Sequence, residues 1–235
     1  MMFDGDPLVE LSHVCFAYRD VGADVTGAEP GRRAVLNDFN LTVNRGECVA
    51  LLGPNGIGKT TVMRIINALE FPTAGEYRFG GTPVTRVEVE KRNSRFAKAL
   101  HQRIGFVFQN SDTQLFCPSV GEEIAFGPTQ MGLPDAEVER RVNDIIRLFD
   151  LERFVDRAPY RLSGGEKKRV AVACVMSLNP DLMVLDEPTD SLDSENTALV
   201  VRVLKAYVEA GKTVLISTHH HDIVEALGAH IVRMG

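Results

Sequence analysis

Short apolar runs alternate with amphipathic stretches along most of the chain. Residues 47–52, 182–185 and 213–217 are apolar runs about as long as one strand, which is typical of strands buried on both faces. Residues 166–178 and 194–209 instead carry apolar side chains at helical spacing. Because strands and helices alternate, we predict an α/β fold with a mainly parallel sheet.

The N-terminal part of the chain has a different pattern. Residues 9–18, 34–43 and 76–79 are predicted strands. Residues 20–33 are rich in Gly, Ala and Asp, so we predict a hairpin loop between the first two strands.

Helical patterns dominate the middle of the chain. Ser119 and Glu122 have the spacing of a capping box, which predicts that a helix begins there. Residues 134–151 carry Val138 and Val142 on one face and charged side chains on others, which predicts an amphipathic surface helix.

The composition is that of an ordinary globular protein. Of the 235 residues, 44% are hydrophobic and 25% are charged, and the net charge is -6. A negative net charge argues against a broad nucleic-acid-binding surface. We expect no secretory signal and no membrane span, and we expect the four scattered cysteines to be buried thiols in a reducing compartment.

A glycine-rich segment follows the first of the buried strands and precedes a helical pattern. It has the form GxxxxGK[ST] and consists of Gly53, Pro54, Asn55, Gly56, Ile57, Gly58, Lys59 and Thr60. In this setting backbone N–H groups would surround phosphate, Lys59 would reach the β- and γ-phosphates, and the Thr60 hydroxyl would bind Mg²⁺. We add Thr61 as a further phosphate contact. The alternative, a chance glycine turn before a helix, does not explain the full pattern.

An acidic pair ends another buried strand. Asp186 and Glu187 follow four apolar residues, so both carboxylates lie at the carboxyl end of the sheet. Asp186 would hold Mg²⁺, and Glu187 would polarise an attacking water. Taken alone, the pair would be equally compatible with an acidic turn after a strand.

A second glycine segment lies just upstream of that strand. Ser163 and Glu166 fit a capping box, which by itself indicates only the start of a helix. Gly164 and Gly165 weaken a first helical turn, yet they leave bare N–H groups at a helix N-terminus, where an anion binds well. We therefore predict a second γ-phosphate contact here.

Taken in order, these residues resemble the motifs of ABC-type ATPase subunits over about residues 18–221. The residues that match are Tyr18, Gly53–Thr61, Gln109, the LSGGE segment at residues 162–166, Asp186, Glu187, Asp193 and His219. The resemblance implies a P-loop NTPase of the ABC ATPase type in a single domain, residues 1–235. It would have a mainly parallel sheet core with an antiparallel β subdomain and a helical subdomain. The nucleotide-binding core would comprise about residues 1–108 and 166–235, and the helical subdomain about residues 109–165.

The resemblance also implies roles for single residues. Lys59, Gln109, Glu187 and His219 would be catalytic, with Gln109 sensing Mg²⁺ and γ-phosphate and His219 contacting γ-phosphate. The Mg²⁺ ligands would be Thr60, Gln109 and Asp186. Tyr18 would stack on adenine, and Asp193 would lie across a dimer interface. ATP and Mg²⁺ are the cofactors implied.

Two further segments resemble the ATPase component of energy-coupling factor importers. They are residues 108–116, FQNSDTQLF, and residues 125–128, AFGP. Residues 164–170, GGEKKRV, are similar to the cobalt and nickel branch of that family. This narrower resemblance implies import of cobalt or nickel ions, with a vitamin or another micronutrient as the alternative substrate.

The resemblance implies partners as well. In this family one chain cannot bring its own P-loop and LSGGE segment together, so a second ATPase subunit, identical or homologous, would complete a head-to-tail dimer around two ATP molecules. A transmembrane scaffold and a substrate-binding membrane protein would dock on the helical subdomain. We expect a peripheral protein on the cytoplasmic face of the membrane, with no nucleic-acid partner.

Other hypotheses remain open at this point. A soluble ABC ATPase acting on ribosomes or nucleic acid is one, although this chain has one ATPase unit and no long coiled-coil insertion. An inactive subunit that only binds ATP is another, although Glu187 and His219 are present. His220 and His221 follow His219, but three consecutive side chains on an extended segment do not readily share one metal ion.

Overall fold

The computed structural model describes residues 2–19 and 32–235. Most of the predicted hairpin loop, residues 20–31, lies outside the described residues. The chain forms two units: the first comprises Met1–Arg45, Gly53–Ala97 and Val232–Gly235, and the second comprises Gly46–Leu52 and Lys98–Ile231. The predicted division into a core and a helical subdomain follows other boundaries and stays a prediction.

The elements follow one another in a largely alternating order. In chain order they are β1 (Val9–Arg19), β2 (Arg32–Val43), β3 (Cys48–Leu52), α1 (Lys59–Ile66), β4 (Ala74–Phe79), β5 (Thr82–Pro83), α2 (Arg86–Glu90), α3 (Arg95–Arg103), β6 (Ile104–Val107), α4 (Val120–Gln130), α5 (Asp135–Leu148), α6 (Gly164–Ser177), β7 (Leu182–Asp186), α7 (Ser194–Glu209), β8 (Thr213–Ser217), α8 (His221–Leu227) and β9 (His230–Arg233). Short 3-10 turns lie at Ser111–Thr113, Glu152–Phe154 and Pro159–Arg161.

The first unit contains an antiparallel sheet with the strand order β2-β1-β4-β5. Val9 on β1 pairs with Val43 on one side and with Phe79 on the other. The Tyr77 hydroxyl on β4 donates to the Ile66 carbonyl of α1 at 2.6 Å, which fixes this helix against the sheet. Complete burial raises the pKa of Tyr77 well above its usual range, so the phenol remains a neutral donor.

The second unit contains the parallel sheet, with the strand order β6-β7-β8-β3-β9. The pairs β6/β7, β7/β8 and β3/β8 are parallel, and every residue of β3, β7 and β8 is buried. The continuous apolar runs of these strands follow from this burial, because helices cover both faces of such a sheet. The predicted α/β fold, with a parallel core and an antiparallel sheet, is confirmed.

Helices α4, α5 and α6 pack closely within the second unit. A Cβ built on Gly127 of α4 would lie 2.3 Å from the end of the Leu178 side chain, so any larger residue there would force Leu178 to move. The Ser177 hydroxyl on α6 donates to the Ile124 carbonyl of α4 at 3.0 Å. Helix α5 ends before the predicted position, since Asp150 takes a left-handed φ of 51° that stops the helix.

No helix within residues 2–19 and 32–235 is both long and apolar enough to cross a bilayer.

Candidate functional site

The glycine-rich loop of the first unit is built from left-handed backbone conformations. Gly56 has φ 80° and Gly58 has φ 115°, a region that a side chain makes costly. A Cβ on Gly58 would lie 3.0 Å from the side chains of Val35 and Leu36, and a Cβ on Gly53 would lie 2.5 Å from the Met234 carbonyl oxygen. Gly56 and Gly58 are therefore required by their backbone conformation, and Gly53 is required by its close approach to Met234.

Lys59 begins α1 directly after this loop and is buried. Its ammonium donates to the carbonyl oxygens of Gly53 at 2.6 Å and of Pro54 at 3.2 Å. An ammonium has three N–H donors, so two of them hold the loop closed on itself. Thr60, the predicted Mg²⁺ ligand, is exposed at the start of the same helix.

Tyr18 and Thr61 meet within the first unit. The Tyr18 hydroxyl lies 3.2 Å from the Thr61 Oγ1, and the Tyr18 ring packs edge-on against Phe16 with centroids 4.8 Å apart. The sequence did not indicate this bond. It gives Thr61 a protein partner in addition to its predicted phosphate contact.

The loop fits a polyphosphate on the chemistry of its donors. Pro54, Asn55 and Gly56 are exposed, and no atom lies within 4 Å of the point where a Gly56 Cβ would stand. An open backbone at a helix N-terminus presents N–H groups and partial positive charge to an anion. The first unit can thus hold the phosphates of ATP.

The acidic pair of the second unit lies at the end of β7. Asp186 is buried and pairs across the sheet with Ser217, the last residue of β8, whose hydroxyl donates to its carboxylate at 2.5 Å. The Glu187 N–H donates to the same hydroxyl at 3.1 Å. Sequence reasoning missed Ser217, because only the register between β7 and β8 brings it opposite Asp186.

Glu187 is buried with a left-handed φ of 46°, and His219 lies beside it. The His219 Nδ1 is 3.3 Å from Glu187 Oε1, with which it forms a hydrogen bond, and 3.2 Å from Oε2. Among the described residues no donor with hydrogen-bond geometry reaches Oε2, although this oxygen is buried. An unpaired buried carboxylate oxygen is costly, so this one marks a place for a water or a ligand donor.

The side chains near the acidic pair also indicate how Mg²⁺ could be bound. Within the described ranges, no group of three or more His, Cys, Asp or Glu side chains could hold a metal ion. Mg²⁺ is commonly bound through one or two carboxylates together with substrate phosphates and waters. A single buried carboxylate such as Asp186 therefore fits Mg²⁺ that is bound with a nucleotide, whereas the residues do not form a protein-only metal cage.

The LSGGE segment forms the predicted capping box. The Ser163 Oγ accepts from the Glu166 N–H at 3.3 Å, and the Glu166 carboxylate accepts from the Ser163 N–H at 2.8 Å. Burial opposes ionisation of Glu166, but the hydrogen bonds from Ser163 outweigh it and keep the pKa of this carboxyl below its usual value. The predicted helix start is thus confirmed, with Gly164 and Gly165 in the first turn of α6.

Asp193 caps the following helix, α7. Its carboxylate accepts from the Asn196 N–H at 2.8 Å, and both of its oxygens lie 2.9 Å from the Asn196 Nδ2. The backbone bond from Asn196 lowers the pKa of Asp193. The Asn196 Nδ2 also lies 3.1 Å from where a Gly165 Cβ would stand, so Asn196 connects Asp193 with the LSGGE segment. The predicted contact of Asp193 with another subunit stays a prediction.

Gln109 follows β6, and its side chain is exposed. Lys168, on α6, donates to the Gln109 carbonyl oxygen at 2.6 Å and to the Phe108 carbonyl oxygen at 3.3 Å. Sequence reasoning used Lys168 only as part of a family pattern and did not predict this contact. The periodicity of α6 could have revealed it, because a lysine on an otherwise apolar helix face needs a partner.

Comparison with known proteins shows which family this chain resembles. Residues 36–190 match a family profile described as ABC transporter. The nickel import ATP-binding protein LarO of Lactiplantibacillus plantarum is 42% identical over 225 residues, which are 96% of this chain and 88% of LarO. The energy-coupling factor transporter ATP-binding protein EcfA of Methanocaldococcus jannaschii is 41% identical over 195 residues, which are 83% of this chain and 68% of EcfA.

Two solved structures are similar over nearly the whole chain. One is cbiO1 from Clostridium perfringens, described as part of the ABC transporter complex cbiONQ, with a TM-score of 0.80 and 31% identity over 97% of this chain and 84% of that one. The other is a dimeric ATP-binding cassette in a post-hydrolysis state with ADP and Pi, with a TM-score of 0.81 and 29% identity over 96% of this chain and 94% of that one.

Proposed function

The chain belongs to the ABC transporter family of ATP-binding proteins, and from this premise we propose that it is the ATPase subunit that energises a membrane importer of the energy-coupling factor type. Members of the family are ATP hydrolases coupled to transport. The observation that carries the proposal is the buried Glu187 side chain: its Oε1 is hydrogen-bonded to His219, its backbone N–H donates to Ser217, and its buried Oε2 accepts no hydrogen bond from the described residues.

We infer that nickel or cobalt ions are the imported substrate. The support comes from relatives: LarO and the NikO protein of Rhodobacter capsulatus, also 42% identical, are both named nickel import ATP-binding proteins. The EcfA relatives support the broader class of energy-coupling factor importers, so a vitamin or another micronutrient is the alternative substrate.

The proposed reaction is hydrolysis of the γ-phosphate of ATP. The glycine loop would bind the phosphates through its N–H groups, and Lys59 would turn from the Gly53 carbonyl to the β- and γ-phosphates. Glu187 would accept a hydrogen bond from the attacking water and orient it. His219 would hold Glu187 and contact the γ-phosphate. The residues that would hold Mg²⁺ are Thr60, Asp186 and Gln109, and the bound ion would neutralise phosphate charge.

We further propose that two ATPase subunits, identical or homologous, act together in a head-to-tail dimer. The support is the dimeric state of a solved cassette that resembles this chain over 96% of its length. In that arrangement Ser163 and the following glycines would contact the γ-phosphate bound by the other subunit, and Asp193 would lie at the interface. Tyr18 would stack on adenine. A transmembrane scaffold and a substrate-binding membrane protein complete the proposed importer at the cytoplasmic face of the membrane.

The first experiment replaces the carboxylate that the proposal depends on. Glu187→Gln should retain ATP affinity and lower the turnover of the purified chain by about 100-fold or more, since an amide is a poor base. The variant should also accumulate as an ATP-dependent dimer in size-exclusion chromatography. Glu209→Gln, at the exposed end of α7, is the matched control and should hydrolyse ATP like the wild type. Turnover of Glu187→Gln within threefold of wild type would remove Glu187 from this role.

The second experiment tests the importer. A tagged chain recovered from detergent-solubilised native membranes should bring with it a multi-spanning scaffold and a second membrane protein that binds the substrate. Recovery of ribosomal or other soluble proteins alone would instead favour the alternative of a soluble ABC ATPase.

A further inference from the structure

Two consecutive lysines on α6 contact the segment that follows β6, which we call the Gln109 segment (residues 108–114). Lys168 is buried, and its ammonium donates to two backbone carbonyl oxygens of this segment, Gln109 at 2.6 Å and Phe108 at 3.3 Å. A hydrogen bond from a charged donor is about twice as strong as a neutral one. The backbone at Gln109 is therefore held by a strong contact from another element.

The second lysine makes a contact of a different kind. Lys167 forms an ion pair of 2.6 Å with Asp112, but the Asp112 side chain is 66% exposed. Exposed ion pairs contribute little to stability, because water screens them and ordering both side chains costs entropy. The neighbouring lysines thus provide a natural pair for comparison: Lys168 is buried and bonds the backbone, whereas Lys167 is partly buried and pairs with an exposed side chain.

A third side chain fastens the same segment to the same helix. The Gln114 amide nitrogen donates to the Ala171 carbonyl oxygen of α6 at 3.1 Å, and its amide oxygen accepts from the Phe108 N–H at 3.2 Å. The Gln109 segment is consequently held to α6 at both of its ends.

The charge on Lys168 lies among the acids of the candidate site. Burial lowers the pKa of Lys168, and the negative charges of Asp190, Asp186 and Glu187 oppose that shift. A buried ammonium is tolerated only where hydrogen bonds and opposite charges compensate for lost water, and Lys168 has both. Two of these acids, Asp186 and Glu187, form the acidic pair.

We propose, building on the proposed function, that Lys168 is a positioning residue for ATP hydrolysis, which acts by fixing the Gln109 backbone to α6. Helix α6 begins with the LSGGE segment, so Gln109 and that segment form one mechanical unit. Gln109 would then reach its working position only as α6 does. Lys167 reaches the same segment only through the exposed side chain of Asp112 and does not bond its backbone.

Hydrogen exchange of the nucleotide-free full chain tests the connection without any ATPase reaction. In Lys168→Met, which keeps an unbranched apolar side chain without the donor, peptides covering residues 108–114 should exchange about tenfold faster or more. In Lys167→Met, the matched control, they should stay within about threefold of wild type. Unchanged α6 peptides in Lys168→Met show that the helix itself is intact. Equal exchange of the Gln109 segment in wild type and Lys168→Met would overturn the proposal.

Turnover then tests the role in catalysis through a double-mutant cycle. Lys168→Met should lower kcat about tenfold while ATP affinity stays within about twofold, and Lys168→Arg, which restores a charged donor, should recover most of the rate. If Lys168 acts through Gln109, adding Lys168→Met to Gln109→Ala should lower kcat no further. The positioning role of Lys168 would be overturned if the two substitutions lowered kcat additively, or if kcat of Lys168→Met stayed within twofold of wild type. A wild-type chain without turnover would end the proposed function, while the exchange comparison would still decide whether Lys168 fixes the segment.

Discussion

The phosphate-binding loop of the first unit offers a ligand its backbone, whereas the acidic pair of the second unit offers buried side chains. The loop depends on left-handed glycines within a few consecutive residues, and Pro54, Asn55 and Gly56 are exposed. The acidic pair depends on Ser217 and His219, about 30 residues further along the chain, and both carboxylates are buried. One region is built locally and the other by strand register, so different substitutions should damage them.

The largest expected effect comes from breaking the loop at Gly58. In Gly58→Ala the left-handed φ of 115° costs roughly 1–2 kcal/mol, and the new Cβ meets Val35 and Leu36 at 3.0 Å. We expect ATP affinity to fall about tenfold or more in a fluorescence titration. Gly211→Ala is the matched control: it has φ 81° with no atom within 4 Å of its Cβ, so it should lose stability alone. Equal ATP affinity in both variants would contradict the backbone role of the loop.

The next effect comes from removing the hydroxyl that holds the acidic pair. Ser217→Ala leaves the Asp186 carboxylate and the Glu187 N–H without this partner, which should cost about 1–3 kcal/mol in urea unfolding and lower turnover about tenfold. Ser177→Ala, at an equally buried serine that bonds Ile124 and Cys174, should lose comparable stability with turnover unchanged. If both variants retain full turnover, the acidic pair does not need the Ser217 hydroxyl for catalysis.

A smaller effect separates capping from ligand binding at the LSGGE segment. Ser163→Ala and Ser119→Ala each remove a helix N-cap, and each should cost about 1 kcal/mol of unfolding free energy. Only Ser163→Ala should also lower turnover, because Ser119 caps α4 and has no proposed ATP contact. A similar rate in the two variants would reduce Ser163 to a structural cap.

The smallest effect lies outside both regions, at the ion pairs of Glu137 on α5. Hydrogen bonds from Arg140 and then Arg141 lower the pKa of Glu137 from 4.5 to about 2. Since the folded pKa is depressed, the contribution of Glu137 is present above pH 4.5 and is lost as the pH falls towards 2. The stability difference between wild type and Glu137→Gln, measured by urea unfolding, should therefore shrink between pH 5.5 and 3.5. A stability difference that grows on acidification would contradict the depressed pKa of Glu137.

The comparison also explains which features could be predicted from the sequence. The loop, the strand at residues 213–217 and the helix at residues 194–209 depend on local pattern, and their predicted bounds agree with the structure. The helix predicted at 134–151 ends at Leu148 in the structure, where the left-handed Asp150 stops it. The prediction ran too long because apolar periodicity does not reveal a single left-handed residue. The partners of Ser217 and Lys168 come from other elements, so no spacing along the chain identifies them, although the apolar face of α6 indicates that Lys168 needs a partner.

Sequence reasoning also named residues whose proximity it could not derive. Glu187 was selected from its place after a buried strand and His219 through a family resemblance, and the structure places their side chains in contact. Tyr18 and Thr61 were selected for separate contacts with ATP, which stay predictions, and the structure also joins the two residues by a hydrogen bond. Contacts of this kind follow from chain topology, which brings distant positions together.

The geometry at Ser217 sets how much variation this position can tolerate. The Ser217 hydroxyl donates its one hydrogen bond to Asp186 and accepts one from the Glu187 N–H. A single oxygen atom therefore bonds both neighbours. Alanine and glycine lack that atom, and cysteine places a larger, weaker acceptor there. Only threonine reproduces it, with an added methyl group in fully buried surroundings. A saturation library at residue 217, sorted for active clones, should therefore return serine and, at most, threonine.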